Sequence, residues 1–257
     1  MKGHEIGDAM HDKVILITGG TGKLGKELVR VFPTSVHPLH EELDVTDNEA
    51  VASFVNRVDP EIVIHCAALA SVSGCEENRE TAWNTNVEGT KNLVTSCSRL
   101  GNGCKFVYIS TACVFHGDKG DYREDDIPYP KNFYSLTKLL GEFVVENSEL
   151  KKPLIIRTNF MARESWPYPK AFIDRFGTYL FADDLALAIH SVLIQGHEGI
   201  LHVCGEDRLS MYELARITTP DIQPMTLAEY SGPPLTVDMS LKSIRIPPFR
   251  ISRSFPS

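Results

Sequence analysis

The segment NFYSLTKLLGE at positions 132–142 carries a phenol and an amine at a spacing that suits proton transfer. Tyr134 and Lys138 are four residues apart in a stretch typical of the start of a helix, so both side chains project from one face. A cation one turn away favours a phenolate, and we therefore expect Lys138 to lower the pKa of Tyr134. The alternative is a tyrosine packed on the helix beside an exposed lysine.

Two hydroxyl groups stand upstream, at the end of an apolar segment that predicts a buried strand, KFVYIS at 105–110. Ser110 closes this segment and Thr111 follows it. Polar groups that follow the carboxyl end of a strand lie where α/β sheets bind their ligands, so both hydroxyls are candidate site residues.

A glycine-rich segment, ITGGTGKLGKEL, lies between the first predicted strand and the first predicted helix. Gly19, Gly22 and Gly25 permit a tight turn in which backbone amides can approach a pyrophosphate, and the helix N-terminus stabilises its negative charge. Because a strand precedes the turn and a helix follows it, the pattern indicates dinucleotide binding. A tight turn without a ligand is the alternative.

The elements that must position these groups alternate between short apolar runs and longer amphipathic ones, which predicts an α/β fold, a Rossmann-type doubly wound parallel sheet. The predicted strands are 14–18, 35–39, 61–66, 105–110, 153–157 and 199–203. The predicted helices are 24–32, 47–57, 80–100, 134–147, 182–194 and 210–217. The expected layout is an N-terminal extension at 1–12, an NAD(P)-binding Rossmann domain at 13–158, and a small C-terminal substrate lobe at 159–257, partly interleaved with it.

The composition excludes several classes of function. The 257 residues carry a formal net charge of −8 and no run of Lys or Arg, so we expect neither a nucleic-acid partner nor a membrane surface. No apolar stretch approaches the ~20 residues of a membrane span, and MKGHEIGDAMHDK lacks the apolar centre of a signal peptide. The six cysteines form no CxxC pair and the nine histidines are scattered, which predicts reduced thiols, a cytoplasmic protein and no metal site.

Taken together, the motifs resemble the extended, nucleotide-sugar-modifying branch of the short-chain dehydrogenase/reductases. Within it the chain looks most like the dTDP-4-dehydrorhamnose reductase (RmlD-like) family. The stretches that carry the resemblance are GxxGxxG after Thr18, LDVTD (43–47), HCAA (65–68), NVEGT (86–90), YISTACVF (108–115), YSLTK and FADDLA (181–186).

The resemblance implies a reductase that uses NADP or NAD in the reduced form and acts on the C4 keto group of a nucleotide-linked 4-keto-6-deoxy sugar. The implied catalytic residues are Thr111, Tyr134, Lys138 and, less directly, Ser110. The hydroxyl of Thr111, with that of Ser110 as the second choice, would hydrogen-bond the substrate carbonyl and stabilise the alkoxide that develops during its reduction. Lys138 would also hold the nicotinamide ribose. The implied cofactor-binding residues are Gly19, Thr21, Gly22, Lys23, Leu24, Gly25, His40, Asp44, Val45, Cys66, Ala67, Ala68, Asn86, Lys138 and Thr158. The implied substrate-binding residues are Ser71, Val72, Cys113, Phe160 and Trp166.

Ala112 and Cys113 depart from the pattern of the relatives. Nucleotide-sugar 4,6-dehydratases place an Asp-Glu pair there, so dehydration is not expected of this chain, and rhamnose-type reductases usually have Asp-Tyr. Bifunctional 3,5-epimerase/4-reductases carry a Cys just beyond the catalytic hydroxyl. Cys113 is therefore either an acid–base group for epimerisation or a small buried side chain.

The resemblance leaves three further points open. No Lys or Arg occurs from Pro33 through Asn56, which favours NAD, whereas Lys23 or a protonated His40 could meet the 2′-phosphate of NADP.

The segment between Arg157 and FADDLA is shorter than in typical members, and the regulatory β subunit of methionine adenosyltransferase resembles the same reductases. A non-catalytic NAD(P)-binding subunit is thus the competing hypothesis. Relatives often dimerise, so a homodimer is expected.

Overall fold

A computed structural model describes residues 8–252 of the chain, in which short apolar runs form buried strands and amphipathic runs form helices around them. The strands are β1 (Ile15–Thr18), β2 (Ile62–His65), β3 (Lys105–Ile109), β4 (Leu154–Arg157), β5 (Phe160–Met161), β6 (Lys170–Phe172), β7 (Phe176–Gly177), β8 (Leu180–Phe181), β9 (Gly199–His202), β10 (Leu209–Ser210), β11 (Gln223–Met225) and β12 (Asp238–Met239). The α-helices are α1 (Asp8–His11), α2 (Lys23–Val31), α3 (Asn48–Val58), α4 (Val72–Glu77), α5 (Arg79–Trp83), α6 (Gly89–Ser98), α7 (Phe133–Glu146), α8 (Ala182–Ile194) and α9 (Met211–Thr218).

The main sheet has five parallel strands in the order β1-β2-β3-β4-β9. Thr18 pairs with His65, and His65 pairs with Tyr108, so the carboxyl ends of three neighbouring strands lie at one edge. The strand predicted at 35–39 is reduced to a single parallel bridge between Val36 and Leu16. The predicted fold class, a doubly wound parallel sheet, is confirmed.

Each face of this sheet carries its own core, because successive side chains of a strand point to opposite faces. Ile15 and Ile17 belong to one cluster, which includes apolar residues of α2 and α8. Leu16 belongs to the other, which includes apolar residues of α3 and α6. The two-sided burial explains why these strands read as continuous apolar runs.

The remaining strands form small sheets outside the main one: β5 with β8, β6 with β11, and β7 between β10 and β12. Helix α9 begins at a capping box in which Ser210 and Glu213 bond to each other's backbone N–H groups. Between these small sheets the chain returns to the main sheet through α8 and β9. The division at residue 158 stays a prediction, as does the N-terminal extension, of which residues 1–7 lie outside the described chain.

The single helix predicted at 80–100 is wrong in detail, because a π-helical turn at Asn84–Glu88 separates α5 from α6. The Asn86 carbonyl accepts a hydrogen bond from Thr90 Oγ1 (2.7 Å), while its side chain bonds to Leu69 and to Thr137. Asn86 is thus held from outside its own helix. Such π turns are rare and often mark functional sites.

Residues 8–252 contain neither a membrane-spanning helix nor a cluster of metal ligands. None of their helices combines the length and apolarity needed to cross a bilayer. They also contain no group of three or more His, Cys, Asp or Glu side chains placed to hold a metal ion.

The turn between β1 and α2 leaves no room for a side chain at Gly25, because a Cβ there would overlap the Gly19 carbonyl oxygen. We expect Gly25→Ala to lower the free energy of unfolding by about 3 kcal/mol and dinucleotide affinity at least about tenfold. The matched control is Gly101→Ala, since a Cβ at Gly101 meets no atom within 4 Å. Chemical denaturation and dinucleotide titration measure both effects, and equal values for the two variants would contradict this prediction.

Candidate active site

The helix that carries Tyr134 and Lys138 starts at a fixed residue, because two side chains cap it. Asn132 Oδ1 accepts a hydrogen bond from the Ser135 N–H (2.9 Å), and Glu76 Oε1 accepts one from the Phe133 N–H (2.8 Å). Carboxylates and amides at this position satisfy donors that a helix leaves unpaired. Glu76 lies in α4, so the cap also fixes α7 relative to the segment after β2.

Thr111 meets Tyr134 at the end of β3. The Thr111 hydroxyl hydrogen-bonds the Tyr134 phenol, and Thr111 Oγ1 also accepts from the Cys113 N–H (3.1 Å). The Ser110 hydroxyl takes a different direction and donates to Glu142 in the buried side of α7. The structure therefore brings Thr111 together with Tyr134 and keeps the Ser110 hydroxyl occupied elsewhere.

The expectation that Lys138 lowers the pKa of Tyr134 is wrong. Burial raises the pKa of Tyr134, and the nearby Cys113 raises it further, while the hydrogen bond from Thr111 lowers it. The Lys138 ammonium instead lies over the ring of Tyr108, with Nζ 4.1 Å from the ring centroid. Tyr134 is therefore a neutral phenol at neutral pH, the protonation state required of a proton donor.

Lys138 is almost completely buried, at 4% exposure, and burial lowers its pKa to about 8. Cys66 and Glu142 act in the opposite direction. Gly141 makes the arrangement possible, because a Cβ there would overlap the hydroxyl of Tyr108. A lysine with a pKa this close to neutrality is typical of a functional site.

A buried chain of hydrogen bonds, which the sequence did not predict, joins the glycine turn to α7. Thr18 Oγ1 lies 2.7 Å from His65 Nδ1, and Thr90 Oγ1 lies 3.1 Å from His65 Nε2. Since Thr90 donates its own proton to the Asn86 carbonyl, His65 donates from Nε2 and accepts at Nδ1. Burial lowers the pKa of His65 to about 3, which keeps the ring neutral. In the sequence, the only indication of this role was the position of His65 at the end of a predicted strand.

The chain continues through the side chain of Asn86, which donates to Thr137 Oγ1 (2.9 Å), and Thr137 donates to the Tyr134 carbonyl (2.8 Å). Every polar atom of the Asn86 amide is thereby directed to protein partners at Leu69 and Thr137. Asn86 therefore positions α7 and the segment after β2, and its predicted contact with a cofactor has no support from this geometry.

The glycine turn packs directly against the HCAA segment. Gly19 has φ +71°, and a Cβ on it would come within 2.7 Å of the Ala67 backbone nitrogen. Gly22 caps α2 without a side-chain hydrogen bond, and no acidic residue lies in the first turn. The positive end of α2 is thus left for an external anion.

The predicted cofactor residues divide by exposure. Thr21 and Lys23 are exposed at the turn, where Lys23 Nζ lies 3.3 Å from Glu164, and His40 is exposed beyond the Val36 bridge. Leu24 and Val45 are core side chains, so only their backbone could reach a ligand.

The remaining predicted cofactor residues have only some of their polar groups hydrogen-bonded to protein partners. Cys66, Ala67 and Ala68 are half-buried at the end of β2. Asp44 Oδ1 accepts hydrogen bonds from the N–H and hydroxyl of Thr46, and the first of these lowers its pKa. Thr158, after β4, is buried, and its Oγ1 has no hydrogen-bond partner within residues 8–252. A buried hydroxyl at the carboxyl end of a sheet strand that needs an external partner fits a bound dinucleotide.

The predicted substrate residues are less clearly grouped. Ser71 caps α4 through the Gly74 N–H (3.1 Å), and Val72 follows it. Phe160 packs partly against the core of the main sheet. Trp166 packs against the apolar clusters that contain Leu214 and Ala215 of α9, and it donates from Nε1 to the Lys170 carbonyl (3.1 Å). The Cys113 thiol is buried and bonds to Met239 Sδ (3.1 Å), the environment of a packed side chain.

Substitutions at the two hydroxyls should separate their roles. We expect Thr111→Val to lower kcat by about 10²- to 10³-fold, because it removes the donor that faces Tyr134. Ser110→Ala should lower kcat less than about tenfold and instead reduce the free energy of unfolding by about 2 kcal/mol, since it deletes a buried hydrogen bond to a carboxylate. Steady-state kinetics and urea unfolding measure the two effects. A large loss of kcat in Ser110→Ala and a small one in Thr111→Val would assign the catalytic role to the Ser110 hydroxyl.

The chain is similar in sequence and in structure to a known protein family. The family model described as the RmlD substrate binding domain matches residues 13–231. The dTDP-4-dehydrorhamnose reductase of Bacillus anthracis, solved in complex with NADP, is 26% identical with a TM-score of 0.81 and covers 90% of both chains. The reductase ortholog of Clostridium acetobutylicum is 30% identical, with a TM-score of 0.81 over 89% of both chains.

Among curated proteins, the methionine adenosyltransferase 2 subunit beta of Bos taurus is 34% identical over 146 residues, which cover 52% of this chain and 43% of that protein. The chain thus spans less than half the length of this relative. The spore coat polysaccharide biosynthesis protein SpsK of Bacillus subtilis is 30% identical over 221 residues and is covered over 76% of its length. The chain therefore belongs to the RmlD substrate binding domain family.

Proposed function

We propose that this protein is an NAD(P)H-dependent reductase of the C4 keto group of a nucleotide-linked 4-keto-6-deoxy sugar. The observation that carries the proposal is that the Thr111 hydroxyl bonds to the Tyr134 phenol at the end of β3, while Lys138 is buried one turn further along α7. A neutral phenol, a hydroxyl bonded to it and a buried lysine one helical turn away form the set that ketone reduction needs. The reductases of similar structure support the substrate class.

Residues of this chain fit a dinucleotide. The uncapped N-terminus of α2 suits a pyrophosphate, and the unpartnered Thr158 hydroxyl suits a polar group of the nicotinamide end. When bound, the reduced nicotinamide supplies the hydride. Both NADP and NAD stay open: the Bacillus anthracis reductase was solved with NADP, whereas no Lys or Arg follows Val36 until Arg57.

The chain's own groups then divide the work on the carbonyl. Thr111 donates a hydrogen bond to the carbonyl oxygen and withdraws charge as the alkoxide forms. Tyr134 donates its proton to that oxygen and becomes a phenolate. Lys138, protonated below about pH 8, lies over the Tyr108 ring, and its proposed role is to hold the nicotinamide ribose. Ala112 and Cys113 offer no carboxylate, so the arrangement suits reduction and not elimination of water.

The experiment is loss of the NADPH absorbance band with dTDP-4-keto-6-deoxy sugars, repeated with NADH. Turnover that requires Thr111 supports the proposal. Cofactor binding without turnover across a panel of keto sugars would refute it.

Cofactor binding without turnover would favour another function, that of a non-catalytic NAD(P)-binding partner subunit. The observation behind this candidate is the match to methionine adenosyltransferase 2 subunit beta at 34% identity over 146 residues. Co-purification with a catalytic subunit, together with a change in that subunit's activity, would support it.

A 3,5-epimerase activity of Cys113 also stays a proposal, although its thiol is directed to Met239 Sδ. Proton exchange at C3 and C5 of the keto sugar tests it directly. Exchange that is unchanged in Cys113→Ala would remove the hypothesis.

Two further features belong to the proposal. The six cysteines are free thiols in the described chain, which supports a reducing compartment such as the cytoplasm. A homodimer stays a prediction from the family, and light scattering at micromolar concentration would measure it.

A further inference from the structure

Glu142 is a buried carboxylate that the proposed reaction does not use. It follows Lys138 by one helical turn on the same face of α7, and its side chain is 1% exposed. Arg157 donates to it from Nη2 (2.7 Å) and from Nε (3.0 Å), and Ser110 donates from its hydroxyl. A carboxylate this deep is stable only with such partners.

Both partners come from strand ends that supply site residues. Ser110 precedes Thr111 at the end of β3, and Arg157 precedes Thr158 at the end of β4. Glu142 accepts both of these bonds at once, so it fixes the distance between α7 and the two strand ends. Within residues 8–252, Arg157 Nη1 has no hydrogen-bond partner. Glu142 is the carboxylate that forms an ion pair with this guanidinium, and the charge of Glu146 also acts on it.

Glu142 is also the charge that favours a protonated Lys138. The titratable groups around Lys138 are Cys66 and His65 from β2, Tyr108 from β3, and Tyr134 and Glu142 from α7. Burial holds the pKa of Cys66 at about 12 and that of His65 at about 3, so both are neutral at neutral pH. The two phenols, whose pKa values burial raises, are neutral as well. The carboxylate is left to oppose the desolvation of the ammonium.

We propose that Glu142 is a positioning residue for the reduction, which keeps Lys138 protonated and holds the Ser110–Thr111 strand end against α7. The inference rests on the proposed function, because it assigns Lys138 and Thr111 their roles there. A purely structural anchor would stabilise the fold without moving the titration of Lys138. The two roles can therefore be separated by a pH profile.

The test measures NADPH affinity by fluorescence from about pH 6 to about pH 10 in wild type, Glu142→Gln and Glu149→Gln. Wild-type affinity should fall with a midpoint near 8, the pKa of Lys138, and Lys138→Met should lack this limb. In Glu142→Gln the midpoint should move at least about half a unit lower, because an opposite charge is removed. Glu149→Gln, at an exposed carboxylate beyond the end of α7, should leave it unchanged.

Kinetics give a second readout. At pH 7, kcat of Glu142→Gln should fall at least about tenfold, with KM for the keto sugar within about threefold of wild type. Glu142→Asp, which keeps the charge, should restore the midpoint. A folded Glu142→Gln variant with the wild-type midpoint would overturn the inference.

Glu142→Gln could fail to fold, since it leaves the Arg157 guanidinium uncompensated. Glu142→Met combined with Arg157→Met replaces the pair by apolar groups and should restore stability while the midpoint stays lowered. A midpoint equal to wild type in that variant would also overturn the inference. Affinity for NADPH alone does not depend on the sugar, so a failed sugar panel counts against the proposed function only. Failure of wild type to bind either dinucleotide would overturn both.

Discussion

Tyr134→Phe should lower kcat by about a thousand-fold, while dinucleotide affinity changes less than about twofold. The variant removes one oxygen, the one that Thr111 hydrogen-bonds and that would give its proton to the alkoxide. Binding should persist, because the glycine turn, Lys138 and Thr158 are untouched. NADPH oxidation with the keto sugar and fluorescence titration of the cofactor measure the two quantities separately.

Tyr179→Phe is the matched control, since Tyr179 is also a buried tyrosine near Cys113 whose pKa is raised by burial. We expect it to keep kcat within about threefold of wild type. A near-normal rate in Tyr134→Phe would rule out the proton-donor role and leave Tyr134 as a packing residue.

Lys138→Met should lower kcat/KM by about a thousand-fold and yet stabilise the protein at neutral pH. The pKa of Lys138 is about 8 in the folded chain and near 10.5 when exposed, so between these values the unfolded chain binds more protons. The contribution of Lys138 to the free energy of unfolding of the wild type therefore rises with pH between these two values. Below pH 8 the buried lysine is charged, and its desolvation destabilises the folded protein by the full amount. Methionine has no such cost.

We expect a gain on the order of 2 kcal/mol at pH 7, because the contact with the Tyr108 ring offsets part of the desolvation. The melting temperature should then rise by about 5 °C at pH 7 and by much less near pH 10. Lys151→Met, at an exposed lysine, is the control and should change neither value. A destabilised Lys138→Met whose deficit does not vary with pH would contradict the depressed pKa.

The sequence determined those features that depend on neighbours along the chain. Runs such as VILIT and KFVYIS read as buried strands because both faces of a parallel sheet are covered. The glycines at 19, 22 and 25 allowed the turn to be placed, and the four-residue spacing of Tyr134 and Lys138 placed both on one helix face. Caps such as Ser210 were also visible, since the bonds they make are local.

The sequence was less informative where a pattern competes with contacts from elsewhere. The run at 80–100 looks like one helix, yet Asn86 is pulled by Leu69 and Thr137, and a π turn results. The segment at 35–39 has the composition of a strand, but only Val36 pairs with β1.

Only the tertiary structure decided the electrostatics of the site. The direction of the Tyr134 pKa shift depends on burial and on where the Lys138 ammonium points, which spacing along a helix does not specify. The choice of Thr111 over Ser110 depends on Glu142, and the neutrality of His65 depends on Thr18 and Thr90 from other elements. Desolvation and hydrogen bonding act through space over a few ångströms, so groups far apart in the chain set them.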